Sequence, residues 1–411
     1  MIEPTKTPLW RRYLTLPGNV LALSFVSLLN DTSSEIIYPL LPTFLALTLG
    51  ASPFAIGLIE GFAESVASIL KLFSGYLSDK FQTRKLLVFV GYALAAIMRP
   101  FLAFAGSWPQ VLFVRMTDRI GKGIRGAPRD ALLAASVPKE ERGMVFGFNR
   151  AADNLGAVIG PVCAFVLLSW IAADTNSPTA REYQQVFLFA SLPVVIGLFV
   201  IVFFVKEEKK SVRTEANIPV KLSLAGFDGN FKRLLGVVAL FTLSNSTDAF
   251  LLLRAQQSGI APPVLPLLWM ALHFSKVCSS IVFGNLSDRV GRRKLIFAGW
   301  TVYALVYAGF AFVSTAWQAW GLFLIYGTYF GLTEGTEKAM VADMVGEEKR
   351  GTAYGLYNLA IGITVFPASL LFGLAWDRFG APTAFLASAA VSIVSAALLM
   401  TVKPHQDDAA T

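Results

Sequence analysis

Ionisable side chains stand inside stretches of this sequence that are otherwise apolar. A lone charge in such surroundings is costly, so each one is expected to have a partner or a function. Eleven bases and eleven acids occupy these stretches, and equal numbers allow the interior to be paired within itself. Charges placed in this way can carry protons, bind a charged solute or hold helices together. The bases are Lys71, Arg99, Arg115, Arg119, Lys122, Arg125, Arg129, Arg150, Arg254, Lys276 and Lys338, and the acids are Asp31, Glu35, Glu60, Glu64, Asp118, Asp130, Asp153, Asp248, Glu334, Glu337 and Asp343.

Five of the bases recur at helical spacing and form what we call the basic stripe: Arg115, Arg119, Lys122, Arg125 and Arg129. At 100° and 1.5 Å per residue they fall within about 120° of one helix face, over about 21 Å. Three interpretations remain open. In the first, Arg125 and Arg129 are ordinary charges at a helix end while the others form structural pairs. In the second, Arg115 and Arg119 bind an anionic solute, as guanidinium groups bind carboxylate or phosphate. In the third, the stripe takes part in proton coupling.

Proton coupling would need a carboxylate near this stripe. Asp31 and Glu35 lie one helical turn apart in the first apolar stretch, and Glu60 and Glu64 do so in the second. A carboxyl group in a partly dry cavity can carry a proton and release it when a guanidinium approaches. We therefore expect these four acids to be proton carriers, and Asp31 and Glu35 also to bind substrate or to pair with Arg119.

The second half of the sequence has fewer candidates. Asp248, Lys276, Glu334 and Glu337 are expected to bind substrate. His273 lies one turn before Lys276 in an apolar stretch, where a lone histidine is more often a hydrogen-bonded packing residue. Because imidazole titrates near neutral pH, His273 is also a candidate proton carrier.

The elements that position these charges are predicted to be membrane-spanning helices. The chain of 411 residues is 55% apolar and only 15% charged, and its mean hydropathy is +0.59. About 20 apolar residues are needed to cross a bilayer as a helix. Twelve such stretches are predicted, and they cover residues 20–46, 54–77, 86–106, 110–133, 144–172, 185–205, 234–256, 264–286, 295–314, 318–344, 352–374 and 382–402.

The distribution of Lys and Arg predicts the orientation. With both termini inside, 22 of the 35 basic residues fall in inside segments and only Arg181 and Arg378 fall outside. We therefore expect cytoplasmic termini, and we attribute the net charge of +8 to loops rather than to nucleic-acid binding. The first residues lack the pattern of a cleaved signal peptide and are expected to stay on the protein.

Internal repetition divides the chain into two similar halves. GYLSDKFQTRK from Gly75 recurs as GNLSDRVGRRK from Gly284, and the pattern of Arg142, Gly143 and Gly147 recurs from Arg350, at offsets of 209 and 208 residues. Parallel repeats of this kind occur in transporters. The predicted domains are a first six-helix bundle (1–205), a cytoplasmic loop (206–233) and a second six-helix bundle (234–411).

The doubled loop resembles the signature motif of the major facilitator superfamily, and Pro39 and Pro42 resemble the proline motif of its drug-exporting branch. The resemblance implies an all-α membrane protein of twelve helices in two pseudo-symmetric bundles. Gly156, Gly160 and Pro161 are likewise similar to the antiporter motif of exporters in that family, although Cys163-Ala164 replaces the glycine pair expected next. As gate residues we predict Gly75, Asp79, Arg84, Gly284, Asp288, Arg292, Gly156, Gly160 and Pro161.

Other functional classes lack their characteristic residues. No Walker loop is present, no nucleophile and base pattern emerges, and two cysteines with two histidines do not suit a metal centre. We predict a multi-pass inner-membrane secondary transporter that exports a small organic compound by proton antiport, as a monomer and without a cofactor other than the proton gradient. The alternative is uptake of an anionic metabolite or an iron chelate.

Overall fold

The computed structural model describes residues 16–81, 83–138, 141–207 and 223–403, apart from the side chains of 75–81 and 284–289. Regular secondary structure in these residues is entirely helical. The first half contains six helices: α1 (Gly18–Ile37), α2 (Pro53–Phe81), α3 (Arg84–Phe101), α4 (Trp108–Ala135), α5 (Arg142–Ile171) and α6 (Ala180–Phe204). The second half contains α7 (Gly229–Ser244), α8 (Ala249–Gln257), α9 (Leu265–Val290), α10 (Arg292–Phe312), α11 (Ala316–Asp343), α12 (Arg350–Phe379) and α13 (Ala381–Leu399).

Ten helical segments of the described chain are long and apolar enough to cross a membrane, and α7 with α8 forms one of them. The helices α4 and α11 are equally long, with 28 residues each, but are not among the ten. The basic stripe lowers the hydropathy of α4. In α11 the first half is diluted by Gly, Tyr and Thr, and the second half carries four charged residues. The protein is therefore a multi-pass membrane protein, and the count of twelve spans stays a prediction.

Two predicted spans are not continuous helices. The span 20–46 ends its regular helix at Ile37 and continues as a short turn, Leu41–Thr43, and a π-helical turn, Phe44–Thr48. Pro39 and Pro42 explain the interruption, because proline lacks the amide hydrogen that a helix needs. The span 234–256 is interrupted between Ser244 and Ala249. Its residues there are Asn, Ser, Thr and Asp, whose short polar side chains compete for backbone hydrogen bonds.

Glycines bring α5 close to α1. A Cβ atom on Gly156 would lie 2.7 Å from the carbonyl oxygen of Leu28, and one on Gly160 would lie 2.6 Å from Cβ of Glu35. Only glycine fits such distances, and small residues commonly serve this purpose between membrane helices. These two positions and Pro161 thus lie where α5 packs on α1, while their role in gating stays a prediction.

The two halves contact each other through α2 and α12. Near the start of α2, the backbone amide of Phe54 donates to Oδ2 of Asp377 at 2.9 Å. Further along, Ser65 Oγ donates to the carbonyl oxygen of Gly362 at 2.6 Å. Contact therefore extends from the start of α2 to its middle, and it joins the halves at one end of the molecule.

Candidate functional site

A cavity of about 700 Å³ lies between the two halves. Its wall takes residues from α1 to α5 on one side and from α7, α9, α11 and α12 on the other. Lys71 and Arg150 line it and are exposed, whereas the contacts of Phe54 and Ser65 lie toward the opposite end. The cavity is therefore accessible from the end of the molecule where α2 ends and α5 begins.

The basic stripe runs along the cavity wall, and all five of its members line it. Arg115 binds Glu60 with two contacts, Nε to Oε1 at 2.8 Å and Nη2 to Oε2 at 2.5 Å. Arg119 Nη2 lies 3.1 Å from Oε1 of Glu64. The first two members of the stripe on α4 are thus neutralised by a row of acids on α2.

The predicted partners of Arg119 were wrong. We expected Asp31 or Glu35 of α1, but the carboxylate in contact is Glu64 of α2. The reason lies in packing, because Gly123 of α4 packs on Leu70 of α2 whereas the face of α1 that carries Asp31 and Glu35 packs on the glycines of α5. Helical spacing gives the face of each helix but not the neighbour that the face meets.

Asp31 and Glu35 accept hydrogen bonds from neutral groups. Asn30 Nδ2 donates to Asp31 Oδ1 at 3.0 Å, and Trp269 Nε1 donates to Glu35 Oε2 at 2.7 Å. In the described chain no basic nitrogen lies within 4.0 Å of either carboxylate. Both acids line the cavity, so a charge on either one is not neutralised there by a direct ion pair.

A buried polar network lies behind these acids. Arg99 donates from Nε to Oδ1 of Asp118 at 3.0 Å and from Nη2 to Oδ1 of Asn30 at 3.1 Å. Arg125 Nη2 donates to the same Asn30 oxygen at 3.3 Å, and its guanidinium lies 4.5 Å from the ring centroid of Tyr92. Asn30 therefore joins two arginines to Asp31. The sequence analysis missed Asn30, although it stands directly before a candidate acid.

The interruption between α7 and α8 lies on the cavity wall and is held by hydroxyl groups. Asn245, Ser246, Thr247 and Asp248 all line the cavity. Four tyrosines of α10 and α11 contact this segment. Tyr303 donates to the Ser244 carbonyl at 2.8 Å, and Tyr326 donates to Asp248 Oδ1 at 2.7 Å. Tyr329 accepts from Asn245 at 3.2 Å, and the Tyr307 hydroxyl lies 3.3 Å from Ser246 Oγ.

Thr247 completes this arrangement, because its backbone amide donates to Ser369 Oγ of α12 at 3.1 Å. Each residue from Ser244 to Asp248 is thus bound by a hydroxyl group. Two of these contacts, at the Ser244 carbonyl and the Thr247 amide, satisfy backbone groups, and the other three bind side chains. Unwound backbone in a membrane needs partners of the first kind, since it lacks helical hydrogen bonds. Asp248 was a predicted site residue, but the tyrosines that hold it lie more than 50 residues away and carried no signal in the sequence.

The other candidates of the second half are distributed unevenly. Lys276 lines the cavity and binds Glu334, with Nζ 2.8 Å from Oε2. Glu337 also lines it and accepts from Trp300 Nε1 at 2.9 Å and Tyr357 OH at 2.5 Å. His273 is not among the described cavity residues: its ring packs edge-on against Trp269, and its buried Nε2 has no partner in the described chain.

The predicted gate residues are described only in part. Gly75, Asp79, Gly284 and Asp288 lie outside the described side chains. Arg84 donates from Nη1 to the carbonyl oxygen of Ala131 at 3.4 Å. At the start of α10, Nε of Arg292 lies 2.7 Å from Oδ2 of Asp343, which is at the end of α11. The basic residues of the two loops thus contact the end of a helix in their own half.

Comparison with known proteins agrees with this architecture. The family model described as Major Facilitator Superfamily matches residues 23–366 and 234–411. An uncharacterized MFS-type transporter of Methanocaldococcus jannaschii is 34% identical over 395 residues, which are 94% of this chain and 95% of that protein. The multi-drug resistance efflux pump PmrA of Streptococcus pneumoniae is 26% identical over 322 residues, or 76% of each chain.

The fold also has counterparts among solved structures. The crystal structure of a mutant of the nucleoside transporter NupG superposes with a TM-score of 0.81 at 14% identity, and covers 93% of this chain and 99% of that one. At this identity the similarity shows the fold alone. It agrees with the resemblance that the doubled loop motif indicated.

Proposed function

The chain belongs to the Major Facilitator Superfamily, a family of transporters rather than enzymes, and we propose that it is a secondary active transporter that exports a small organic compound in exchange for protons. The observation that carries this proposal is the central cavity, whose wall is made by both halves and is rich in charged side chains. Such sites between repeats are typical of carriers that work by alternating access.

Alternating access requires the halves to rock about the central site. The contacts of α2 with α12 hold one end together, and the exposed Lys71 and Arg150 line the other. With twelve spans and both termini in the cytoplasm, this state faces inward. The outward-facing state then needs the contacts near Phe54 and Ser65 to separate.

Proton coupling is proposed to use acids that no cation of the described chain contacts. Asp31, Glu35 and Asp248 line the cavity and accept hydrogen bonds from an amide, an indole and a phenol, respectively. Protonation can discharge such a carboxyl group without breaking an ion pair. Glu35 is the strongest candidate of the three, because its partner Trp269 belongs to the other half.

Export in the inner membrane is the direction that we favour. The proline and glycine motifs of α1 and α5 resemble those of the exporting branch, and one relative is described as a multi-drug efflux pump. Movement of solute under an imposed pH gradient measures the direction.

Transport in proteoliposomes tests the proposal. A panel of organic anions, cations and neutral compounds is first screened for stabilisation of the purified protein, since a bound solute raises its stability. Stabilising solutes are then tested for counterflow at equal pH and for movement under an imposed pH gradient. A carrier gives counterflow. In proton antiport, protons leave the acidic compartment and solute moves into it from the less acidic one. A channel-like leak without counterflow would contradict the carrier, and indifference to the pH gradient would contradict the coupling.

A further inference from the structure

We propose that the substrate is an organic anion, a carboxylate attached to a planar or aromatic body, and that Lys122 of α4 binds its acid group. The inference rests on the proposed transport function and adds the substrate class to it. It depends on how the charges of the cavity are partnered and on which side chains face them.

Lys122 is the member of the basic stripe that stays exposed and, within the described chain, has no carboxylate partner. Arg115 and Arg119 bind the carboxylates of Glu60 and Glu64, and Arg129 lies 3.1 Å from Asp130. Arg125 is buried and donates to the Gly91 carbonyl and to Asn30. For Lys122, no carboxylate oxygen within the described part of the chain comes within 4.0 Å of Nζ.

The cavity acids, in contrast, already have hydrogen-bond donors or an adjacent cation. Asp118 and Asp130 bind arginines, and Asp153, whose Oδ1 accepts no hydrogen bond in the described chain, lies 3.9 Å from Nη1 of Arg129. Glu60 and Glu64 bind arginines, and Asp31 accepts from Asn30. Three more acids accept from indole or phenol groups of other helices, and these are Glu35, Asp248 and Glu337. A cationic solute would have to compete with these donors for a carboxylate. An anionic solute finds an ammonium group that offers three donors and has no acceptor.

The position of Lys122 suits a ligand that arrives through the open end. It lies near the middle of α4, yet it is exposed, so it faces the water-accessible cavity. One turn before it, Arg119 also lines the cavity and is buried, and its Nε has no hydrogen-bond acceptor in the described chain. Two neighbouring cations with unused donors thus meet in one part of the wall, where an anion from solution would complete their coordination.

The wall contributed by the second half is aromatic. Phe241, Tyr326, Tyr329 and Phe330 line the same cavity, together with Trp269. The rings of Tyr326 and Tyr329 stack with centroids 5.7 Å apart and an angle of 10° between their planes. Such faces bind flat apolar groups. The volume of about 700 Å³ lies within the roughly 300–1,000 Å³ usual for small-molecule sites.

Three probes of equal size test the charge requirement on the whole purified protein: benzoate, benzylammonium and benzyl alcohol. Each is titrated against the thermal melt and by calorimetry in detergent. Benzoate is expected to raise the melting temperature of the wild type, with little effect of the other two. In Lys122→Met the affinity for benzoate should fall by roughly tenfold or more. Lys122→Arg keeps the charge and should keep most of the affinity.

Lys338→Met is the matched control, because Lys338 is an exposed lysine on α11 that is not among the described cavity residues. It should bind benzoate as the wild type does. The proposal is overturned if benzylammonium stabilises the wild type more than benzoate does, if benzoate binds Lys122→Met unchanged, or if none of the three probes binds. The comparison of probes on the wild type remains decisive even if a variant does not fold. Each of these results leaves counterflow of other solutes intact, so the transport proposal fails only on its own test.

Discussion

Trp269 of α9 donates a hydrogen bond from Nε1 to Oε2 of Glu35 of α1, at 2.7 Å, and this bond joins the two halves of the transporter. The indole ring also packs against Tyr38 of the first half, with ring centroids 4.9 Å apart. Both Glu35 and Trp269 line the central cavity. The bond must break if the halves separate where α1 meets α9. The charge of Glu35 and the closure of the cavity are therefore mechanically connected.

Glu35→Gln is predicted to uncouple transport from protons. Glutamine keeps an oxygen that can accept from Trp269 but cannot carry the proton, so solute movement driven by a pH gradient should fall to background. Counterflow at equal pH should persist, because it needs no net proton movement. Trp269→Phe is the comparison: it keeps the acid but removes the bond that connects Glu35 to the other half, so gradient-driven transport should be reduced without falling to background. Normal gradient-driven transport by Glu35→Gln would reject Glu35 as the coupling residue.

The two ion pairs between α2 and α4 are predicted to differ in their importance for stability. The side chains of Arg115 and Glu60 are only 5% and 2% exposed, so Arg115→Gln leaves a buried charge alone and should cost about 3–5 kcal/mol. Glu64 has a side chain that is 41% exposed, so Arg119→Gln should cost only about 1 kcal/mol.

Double-mutant cycles measured by thermal or chemical unfolding check this order. Adding Glu60→Gln to Arg115→Gln should recover much of the lost stability, whereas Glu64→Gln has little to restore in Arg119→Gln. Equal coupling energies in the two cycles would show that the difference in exposure has no energetic effect.

The glycines of α5 are predicted to respond to alanine with opposite signs. In Gly160→Ala the new Cβ would lie 2.6 Å from Cβ of Glu35 and 2.8 Å from the carbonyl oxygen of Thr32, which should cost about 1–3 kcal/mol. Gly147 lies on the same helix and is exposed, and a Cβ atom added there would meet no atom of the described chain within 4 Å. Gly147→Ala should therefore stabilise the helix by about 0.5–1 kcal/mol. Melting temperatures of the two variants give the comparison, and a stable Gly160→Ala would mean that α1 and α5 move apart at little cost.

Tyr326→Phe is predicted to loosen the interruption between α7 and α8. The change removes the hydroxyl that donates to Asp248 at 2.7 Å and should cost about 1–2 kcal/mol, because a partly buried carboxylate loses a donor. Tyr354→Phe is the control, since that hydroxyl donates to the Lys338 carbonyl at an exposed site, and its cost should stay within about 0.5 kcal/mol. Thermal unfolding gives the stabilities, and solute affinity gives a second readout, which only Tyr326→Phe should weaken. Indistinguishable melting curves for the two variants would contradict a structural role for the bond to Asp248.

Much of the fold follows from local properties of the sequence. Apolar stretches of sufficient length predicted membrane helices, and ten helical segments of the described chain meet that criterion. The doubled loop motif indicated the family, which the comparisons confirm. The basic stripe was readable because positions three and four residues apart share one face of a helix. The structure places all five of its members on one cavity wall.

Contacts between helices were decided only by the tertiary structure. Arg119 binds Glu64 rather than Asp31 or Glu35, because the packing of α1 on α5 and of α2 on α4 sets which faces meet. The bond of Glu35 to Trp269 joins residues 234 positions apart, and four distant tyrosines hold the interruption before α8. The sequence by itself determined which side of each helix carries a charge, since helical geometry repeats locally. The partner of that charge depends on the rotation and depth of neighbouring helices, which only the packing of the whole chain fixes.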